Sequence, residues 1–511
     1  MAIASVPLAP QRKSIFLMGE GPGGGGGAWL SWTTLVHVIR GFDPEDPTGR
    51  IYFSGSGSPK WTDNTMVLPA PAPNATRELA VPAPTSPPTL TITTDGAGSA
   101  ETRYYLTTIA NDLGWESAPS PFTKIACNGG AIIEASSFEA PPAGNYGITK
   151  RRLYRTATSQ EGASDFQLVS EAPIGQATIE DDAGELGEVL VTQGEGILGA
   201  WVPPPDNLTW LTTLWNGMAA AIVGKSVRFS VAGGRLYAWP LSFEILLGFT
   251  PQALATWQQN LLVLTTSTPS IITGQDPASM SEQPLDSLPF VGSCVSPASA
   301  VSLPQGAAWA TPDGLAYVGT TGARVLTMGL LTPDDWLAIN PPSLVGCQWR
   351  GLYVGFYNAG AGWKGFLIDP LNPTGMYWLD VGFPAAYHDP YTGALFVLDG
   401  GSIKKWDAGA AFMTAKFVSK VFTTPSTNFG YLRVMGNAWP VTVRLFSEDT
   451  EAEEDPDRMD VPMVERAVVV VEDGGVVGLP DGYESRLWQI HVEAIKPVLT
   501  VLLGESPEEI S

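Results

Sequence analysis

The sequence is short of basic residues, cysteine and histidine. Its 511 residues include 28 Lys and Arg against 51 Asp and Glu, a formal net charge of −23. Such a surface repels phosphate, so we do not expect a protein that grips nucleic acid. Cys127, Cys294 and Cys347 lie far apart without a C-x-x-C pair. This spacing argues against a disulfide framework and a zinc site, and we expect neither a metal nor a cofactor.

Long apolar runs are also missing. No stretch approaches the about 18 apolar residues of a membrane span, and the N-terminus lacks an apolar segment long enough for a signal peptide. We therefore expect a chain that is made soluble in the cytosol. Helical periodicity is nearly absent as well. Only "TPDDWLAIN" (332–340) predicts a helix, with Thr332 capped by Asp335 three residues on.

The residues that are plentiful indicate an all-β protein of several domains. Hydrophobic residues make up 44% of the chain and include 17 Trp, which is enough apolar surface for packed cores. The 56 Gly and 44 Pro suit many short strands joined by turns. At this length the chain is expected to contain two to four domains.

Strand-like segments recur at spacings of 43 to 46 residues in the middle of the chain. Each consists of an apolar strand, a turn and a second strand, and a period in the forties is typical of a four-stranded propeller blade. We predict a propeller-like platform over 196–410, with 29–83 completing or closing its ring. The recurring segments begin at Met218, Leu261, Ala307, Leu352 and Leu395.

A β-sandwich interrupts this platform at 84–195. Its signature is "RYYLTTIANDLGWESAPSP" (103–121), an alternating strand followed by an Asn, Asp and Gly turn. The stretch resembles the F to G region of fibronectin type III domains and predicts an immunoglobulin- or fibronectin-like fold. Proline-rich bridges at 69–88 and 202–205 are expected to hold this sandwich away from the platform, where it projects outward.

The two ends of the chain have different compositions. The glycine-rich segment 1–28 is predicted to be a flexible arm, because ordered glycines lose much backbone freedom. Residues 411–511 contain closely spaced short strands and predict a second, C-terminal β-sandwich, with a hairpin turn at 472–475.

Two short motifs resemble catalytic or nucleotide-binding loops without completing them. "GKS" (224–226) matches the end of a phosphate-binding loop, but Ala219 replaces the glycine needed five positions earlier. "GSGS" (55–58) lacks the spacing of a nucleophile elbow and has no nearby histidine base. Both are interpreted as turns.

Two acidic positions could serve catalysis. Asp313 in "ATPDGLAYVG" resembles part of the Asp-box turn of sialidases, and propeller glycosidases need two carboxylates across the scissile bond. His388 and Asp389 could form a base and its orienting partner. Pro-Asp-Gly and "HDPYTG" are also ordinary turn sequences, so we expect turns at both places and no catalytic residue.

An acidic run lies at 447–460. It lacks the glycine and the alternation of a calcium-binding loop, so it is interpreted either as a solvated loop or as the lining of a passage for a polyanion. The candidate channel or loop residues are Glu448, Asp449, Glu451, Glu453, Glu454, Asp455, Asp457 and Asp460.

Several segments together resemble the tail nozzle proteins of short-tailed bacteriophages and their relatives in other phage tails. They occur in the order of that family, from about residue 28 to about residue 500. The segments are "AWLSWTTLVHVIRGF", "RIYFSGSGSPKWTD", "RYYLTTIANDLGWESAPSP", "RRLYRTATS", "FQLVSEAPIGQATIEDD", "LYAWP", "TGQDPASMS", "ATPDGLAYVG", "PDDWLAINP" and "NFGYLRVMGNAWPVTVRLFSED".

This resemblance implies a structural virion protein without catalytic residues. Six copies would form a tapered ring below the tail adaptor, contact tail fibres or a tail-tip protein, and let viral DNA pass without binding it specifically. An acidic wall suits such a conduit, because a basic one would hold each passing phosphate. The protein would be made in the host cytoplasm and reside in the virion.

Two other functions remain open on the sequence. A propeller glycosidase or capsule depolymerase would use the blade period and Asp313. A glycan-binding tail adhesin would use the aromatic residues and the fibronectin-like insert.

Overall fold

A computed structural model describes residues 2–5, 12–19, 28–42, 46–67, 75–156, 165–193, 200–285, 292–320, 322–448, 462–480 and 483–511. The chain divides into two compact units, Met1–Trp406 and Asp407–Ser511. Both consist almost entirely of antiparallel strands, which confirms the all-β prediction. The described helices are Asn64–Val67 and Pro333–Ala338, with short 3-10 turns at Pro297–Ser299, Pro341–Ser343 and Pro507–Glu509. None of them has the length and hydropathy of a membrane span.

The first unit contains six four-stranded antiparallel sheets. In the first five, the strands are adjacent in the order of the chain. Sheet 1 is His37–Arg40, Ile51–Ser54, Lys60–Thr62 and Arg77–Glu78; sheet 2 is Thr209–Thr213, Ala219–Val223, Ser226–Phe229 and Glu244–Leu246; sheet 3 is Pro251–Trp257, Asn260–Thr265, Ser270–Thr273 and Ser281–Pro284. Sheet 4 is Val301–Leu303, Gly306–Thr311, Gly314–Gly319 and Gly322–Val325; sheet 5 is Val345–Trp349, Leu352–Asn358, Trp363–Ile368 and Met376–Leu379; sheet 6 is Ala386–His388, Leu395–Asp399, Ser402–Lys405 and Ala2–Ser5.

The predicted repeat positions coincide with real strands. Each of the five lies within one residue of the start of the second strand of sheets 2 to 6. These second strands are the most completely buried, as in Leu261–Leu264 and Ala307–Ala310, so they carry the strongest apolar signal in the sequence. The predicted repeats therefore begin at the second strand of each sheet instead of the first.

The six sheets follow one another around a central cavity of about 670 Å³. The cavity is lined by the first strand of each sheet or by the residues just before it. From sheet 1 to sheet 6, each sheet also packs on the next, and Ile222, Leu254 and Trp309 belong to one core that spans sheets 2 to 4. Consecutive up-and-down sheets around a common centre are typical of β-propellers.

A two-stranded hairpin, Ser14–Met18 paired with Ala28–Trp32, lies between sheet 6 and sheet 1. Alternate residues point to opposite sides, as in any strand. Ile15 and Leu17 join the core of sheet 6, while Phe16 and Met18 join that of sheet 1. This N-terminal hairpin also lines the central cavity.

The prediction of a flexible arm over 1–28 is wrong for its two described segments. All five residues of Ser14–Met18 are buried, and Ala2–Ser5 pairs with Ser402–Lys405 as the outermost strand of sheet 6. The chain start thus completes the last sheet, a contact across about 400 residues. Gly21 and the glycines at 23–27 lie outside the described residues.

The inserted sandwich has seven strands in two sheets. One sheet has the order Thr123–Asn128, Ala100–Asn111, Ile148–Thr156 and Phe166–Pro173; the other has the order Ile179–Asp181, Ile132–Ser136 and Thr89–Thr94. Tyr105, Ile133 and Leu153 are fully buried between them. The stretch 103–121 forms a long strand, its turn and the approach to the neighbouring strand.

The C-terminal unit is a second sandwich of two sheets. One contains Ala415–Val418, Phe422–Thr427, Ser485–Ala494, Val441–Glu448 and Met463–Val471; the other contains Val476–Gly478, Tyr431–Gly436 and Val498–Gly504. Its core is aliphatic around Val434, Val443 and Val492, with Trp488 fully buried at one end. The turn at 472–475 does not close a hairpin as predicted. It crosses between the sheets, because Met463–Val471 pairs with Val441–Glu448 and Val476–Gly478 pairs with Tyr431–Gly436.

Candidate functional site

The loop-like motifs of the sequence are turns in the structure. Lys225 follows Gly224, whose φ is +61°, in the two-residue turn of a sheet 2 hairpin, where Ser226 donates its hydroxyl to the Val223 carbonyl at 2.9 Å. Residues 55–58 connect two strands of sheet 1, and the Ser58 hydroxyl donates to Glu78 Oε2 at 2.6 Å. Neither motif forms a cradle for a phosphate.

Asp313 occupies the turn between two strands of sheet 4. It is exposed, and its backbone amide donates to Thr311 Oγ1 at 3.3 Å. It lies in neither of the two cavities described in this section. The turn interpretation therefore fits the structure.

His388 and Asp389 do not form a base with its partner. Asp389 is fully buried and accepts hydrogen bonds from the Tyr391 and Thr392 amides at 3.4 and 3.2 Å and from the Thr392 hydroxyl at 2.5 Å. It fixes the turn between the first two strands of sheet 6, not a connection between sheets. Burial lowers the pKa of His388, against the opposing effect of Asp389.

Only the first residue of the acidic run is described. Glu448 ends its strand in the C-terminal unit, where its Oε1 accepts from the Arg486 amide at 2.8 Å and the Ser485 hydroxyl at 3.0 Å. The Arg486 amide is the main reason why the pKa of Glu448 lies below its ordinary value. Glu448 thus ties two strand ends together. The remaining predicted acids, Asp449, Glu451, Glu453, Glu454, Asp455, Asp457 and Asp460, lie outside the described residues.

The central cavity has a half-buried histidine, His37, in its wall. The His37 ring lies 3.7 Å from the Trp210 ring, and its Nδ1 has no hydrogen-bond partner within the described residues. Desolvation by the surrounding protein lowers the pKa of His37 to about 3, so the ring is neutral at pH 7. A neutral imidazole stacked on an indole contributes to the wall of the cavity and adds no charge to it.

Arg40 joins the N-terminal hairpin to sheet 6 across the same cavity. Its guanidinium donates to the Leu17 carbonyl at 3.1 Å and to the Tyr387 hydroxyl at 3.2 Å, and it lies 5.1 Å from the Phe16 ring centre. These contacts hold the hairpin between its two neighbours.

A second cavity of about 630 Å³ shares Lys13, Leu35, Ala298 and Val345 with the central one. Its wall includes Arg12 and Trp363. Among the described residues that line the two cavities there is no Asp or Glu, although acids make up about a tenth of the chain. The described linings of the two cavities therefore lack the carboxylate pair that glycoside hydrolysis requires.

Trp115, in the "NDLGWES" turn, docks the inserted sandwich on the rest of the first unit. Its ring stacks on Tyr237 at 4.9 Å with an interplanar angle of 13°, and lies 5.6 Å from Trp61 and 6.3 Å from Tyr52. The Arg50 guanidinium lies 5.6 Å from the Trp115 ring centre. We call these five side chains the aromatic latch.

The latch corrects the prediction of a sandwich held away by proline-rich bridges. Arg77, inside the predicted 69–88 bridge, pairs with Asp112 at 2.6 Å, and Leu79 and Val81 are buried in the same core as Trp61. The described part of the bridge thus packs on sheet 1. The signal in the sequence is Trp115, a single tryptophan in a largely polar turn. The stretch predicts the turn but not that Trp115 docks against another part of the unit.

The C-terminal unit exposes an apolar strand at its edge. Within 412–421, five large apolar side chains are 46% to 71% exposed. Ala415–Val418 pairs with Ser485–Ala494 on one side, and no strand of the described residues pairs with its other side. The exposed residues of this apolar edge are Phe412, Met413, Phe417, Val418 and Val421.

Comparisons with known proteins give no assignment. No family model and no curated protein matches the chain. Solved structures that resemble it include a BBS1N–ARL6DN complex soaked with mercury (10% identity, 54% of this chain and 83% of that one, TM-score 0.25). They also include AztD of Citrobacter koseri (9%, 78% and 100%, TM-score 0.26) and a glycoside hydrolase family 43 arabinoxylan arabinofuranohydrolase of Bacillus subtilis (8%, 74% and 93%, TM-score 0.19). Scores this low support no conclusion about function.

Proposed function

We propose that this protein is a structural subunit of a phage tail nozzle. In this proposal the first unit is a propeller-like platform with a docked fibronectin-like insert, and identical copies close into a ring of six. The ring contacts the tail adaptor above and fibres or a tail-tip protein below. Viral DNA passes through it without specific binding, and the chain catalyses no reaction.

The apolar edge at 412–421 is the observation that carries the proposal. An exposed hydrophobic edge strand is a ready template for pairing with another chain, and monomeric proteins normally protect such edges. Here Phe417 and Val418 lie exposed on the strand itself, with Phe412 and Met413 just before it. A second copy of this chain is the partner that a ring provides.

Charge also favours an identical copy as that partner. Residues 412–421 include Lys416 and Lys420 and no acid, while the whole chain carries a net charge of −23. A locally basic edge on an acidic protein is attracted to the acidic surface of a neighbouring copy. Head-to-tail contacts of this kind generate closed rings when the rotation between copies closes.

The test is assembly of the full chain with one charge added to the edge. Phe417→Glu places a carboxylate where the proposal requires apolar contact. In sedimentation experiments, the protein concentration at which the oligomer dissociates to monomers should rise at least about tenfold. Because Phe417 is exposed, the variant should keep its thermal stability. Ile92→Glu, an exposed apolar residue of the inserted sandwich, is the matched control.

The proposal is overturned if Phe417→Glu and the parent chain assemble equally, or if the parent chain stays monomeric in the presence of the adaptor. A loss of assembly in both variants would point to nonspecific charge repulsion, which also counts against the edge as the contact.

A propeller glycosidase or glycan-binding tail adhesin is the second candidate. The observation in its favour is the ring of six four-stranded sheets around a central cavity, an architecture that serves many carbohydrate-active proteins. Release of reducing sugar from capsule polysaccharide, or retention of the protein by that polysaccharide, would support it. No release and no retention would leave the nozzle proposal alone.

A further inference from the structure

A cationic cavity lies beside the central one, between the start of the N-terminal hairpin and sheets 4 and 5. We call it the Arg12 cavity. It measures about 630 Å³, within the size range of small-molecule sites. Its polar and aromatic wall includes Arg12, Lys13, Ser296, Asn340, Asn358 and Trp363.

The charge of this cavity is opposite to that of the chain. Acids outnumber bases almost two to one in the sequence, yet the described lining contains two bases and no acid. Arg12 and Lys13 form no ion pair with any described residue. Two adjacent cations that no described residue neutralises attract anions to this concave site.

The Arg12 guanidinium is held in place but not saturated. One of its terminal nitrogens donates to the Ser31 carbonyl at 3.3 Å, while Nε is shielded from solvent and has no partner within the described residues. The other terminal nitrogen, Nη2, has no hydrogen-bond partner within the described residues, so it is the group that can donate to an oxyanion in the cavity. The planar fork of arginine suits a carboxylate or phosphate in particular.

The opposite wall is fixed by its own hydrogen bonds. Asn340 donates its side-chain amide to the Asn358 carbonyl at 2.9 Å, and Asn358 Oδ1 accepts from the Gly360 amide at 2.9 Å. With Oδ1 occupied in this way, the Asn358 amide nitrogen remains a donor for a ligand. The indole of Trp363 adds a flat apolar surface of the kind on which sugar rings stack.

We infer that the Arg12 cavity binds a small oxyanion, a carboxylate or phosphate group carried on a body of about the size of a sugar. Arg12 and Lys13 would hold the oxyanion, and Asn358 and Trp363 would contact the body. This site is independent of ring assembly and of the apolar edge.

The experiment uses the full chain and three matched probes at constant ionic strength. Glucuronate and glucose 6-phosphate carry the two oxyanions on one sugar frame, and glucose lacks both. Isothermal titration should show binding of at least one anionic sugar and none of glucose, and inorganic phosphate should compete if the phosphate arm binds. Lys13→Gln should weaken binding about tenfold, because one charge-assisted contact is lost, and Arg12→Gln should weaken it more.

Lys124→Gln with Lys225→Gln is the control for net charge, since both lysines are exposed and far from the cavity in sequence. It should bind like the parent chain. Because Lys13 is exposed, the Lys13→Gln variant should fold normally. If Arg12→Gln unfolds, the binding measured with Lys13→Gln still tests the inference. The inference is overturned if neither anionic sugar binds, if glucose binds equally, or if the Lys13 variant and the control bind alike.

Discussion

The two β-sandwiches of this chain have similar sheets but different cores. In the inserted sandwich, fully buried Asp181 lies 2.7 Å from Arg155 Nε and 3.5 Å from Arg103, and accepts the Tyr105 hydroxyl at 2.6 Å. The core of the C-terminal unit is built from valine and leucine, and its ion pairs, such as Arg444 with Glu465 at 3.0 Å, lie at the surface.

This difference predicts that the two sandwiches lose stability through different substitutions. Substitution within a buried charge network is strongly destabilising, because removing one member leaves the others uncompensated in a low-dielectric interior. Burial and the Asp181 contact raise the pKa of Tyr105, so its hydroxyl stays a donor. An aliphatic core loses stability in proportion to the volume removed and tolerates changes in surface charge.

The largest expected effect comes from breaking the buried network. Asp181→Asn should destabilise the inserted sandwich by about 3 to 5 kcal/mol, since Arg155 loses its buried counter-charge and Arg103 keeps only Glu101, at 2.7 Å. Hydrogen-exchange mass spectrometry should show faster exchange over 89–181 and unchanged exchange over 415–504. The matched surface change Glu465→Gln should cost less than about 1 kcal/mol. Equal costs for the two variants would refute the distinction between the sandwiches.

Removing Trp115 from the aromatic latch should cause the second largest loss of stability. Trp115→Ala removes a ring that contacts Tyr237, Trp61 and Tyr52, and should cost about 2 to 4 kcal/mol. Exchange should rise over 75–81 and around Tyr237, with the C-terminal unit unaffected. Phe122→Ala, a 59% exposed aromatic of the same sandwich, should change little. A latch variant as stable as this control would show that the insert is held by other contacts.

The third effect is a pH dependence of the free energy of unfolding of the first unit. The folded-state pKa of His37 is lowered to about 3. Below about pH 6.5, His37 therefore becomes protonated in the unfolded chain while it stays neutral in the folded chain. The free energy of unfolding should therefore fall with decreasing pH, by about 2 kcal/mol between pH 6.5 and pH 5 from this residue. His37→Gln should flatten that slope in urea denaturation of the first unit, and His491→Gln should not. An unchanged slope in His37→Gln would contradict the assignment.

The smallest effect belongs to the C-terminal unit. Glu448→Ala removes the acceptor of the Arg486 amide and should cost about 1 kcal/mol, while exposed Glu472→Ala should cost almost nothing. Because the folded-state pKa of Glu448 lies below its ordinary value, its contribution is present above that ordinary value and is lost as the pH falls through the folded-state pKa. Thermal unfolding of both variants at neutral and acid pH checks this, and equal midpoints would refute it.

Local signals in the sequence predicted a large part of the fold. The second strands of sheets 2 to 6 appeared as a repeat because they are buried on both faces. The helix at 332–340 is present as Pro333–Ala338, with Thr332 and Asp335 forming the reciprocal cap. Both features depend on residues close together in the chain.

The remaining features depend on distant contacts. Nothing near Ala2–Ser5 indicates that its partner is Ser402–Lys405, and nothing within 472–475 indicates that the turn crosses between sheets. The function of Trp115 likewise depends on Tyr237, more than 100 residues away. The Arg12 cavity was missed because Arg12 and Trp363 meet only through the ring of sheets.

Single-particle electron microscopy of the purified chain with its adaptor tests the central claim most directly. The account predicts closed rings of identical subunits, with 412–421 at the contact between neighbours. A uniform population of monomers under assembly conditions would contradict it.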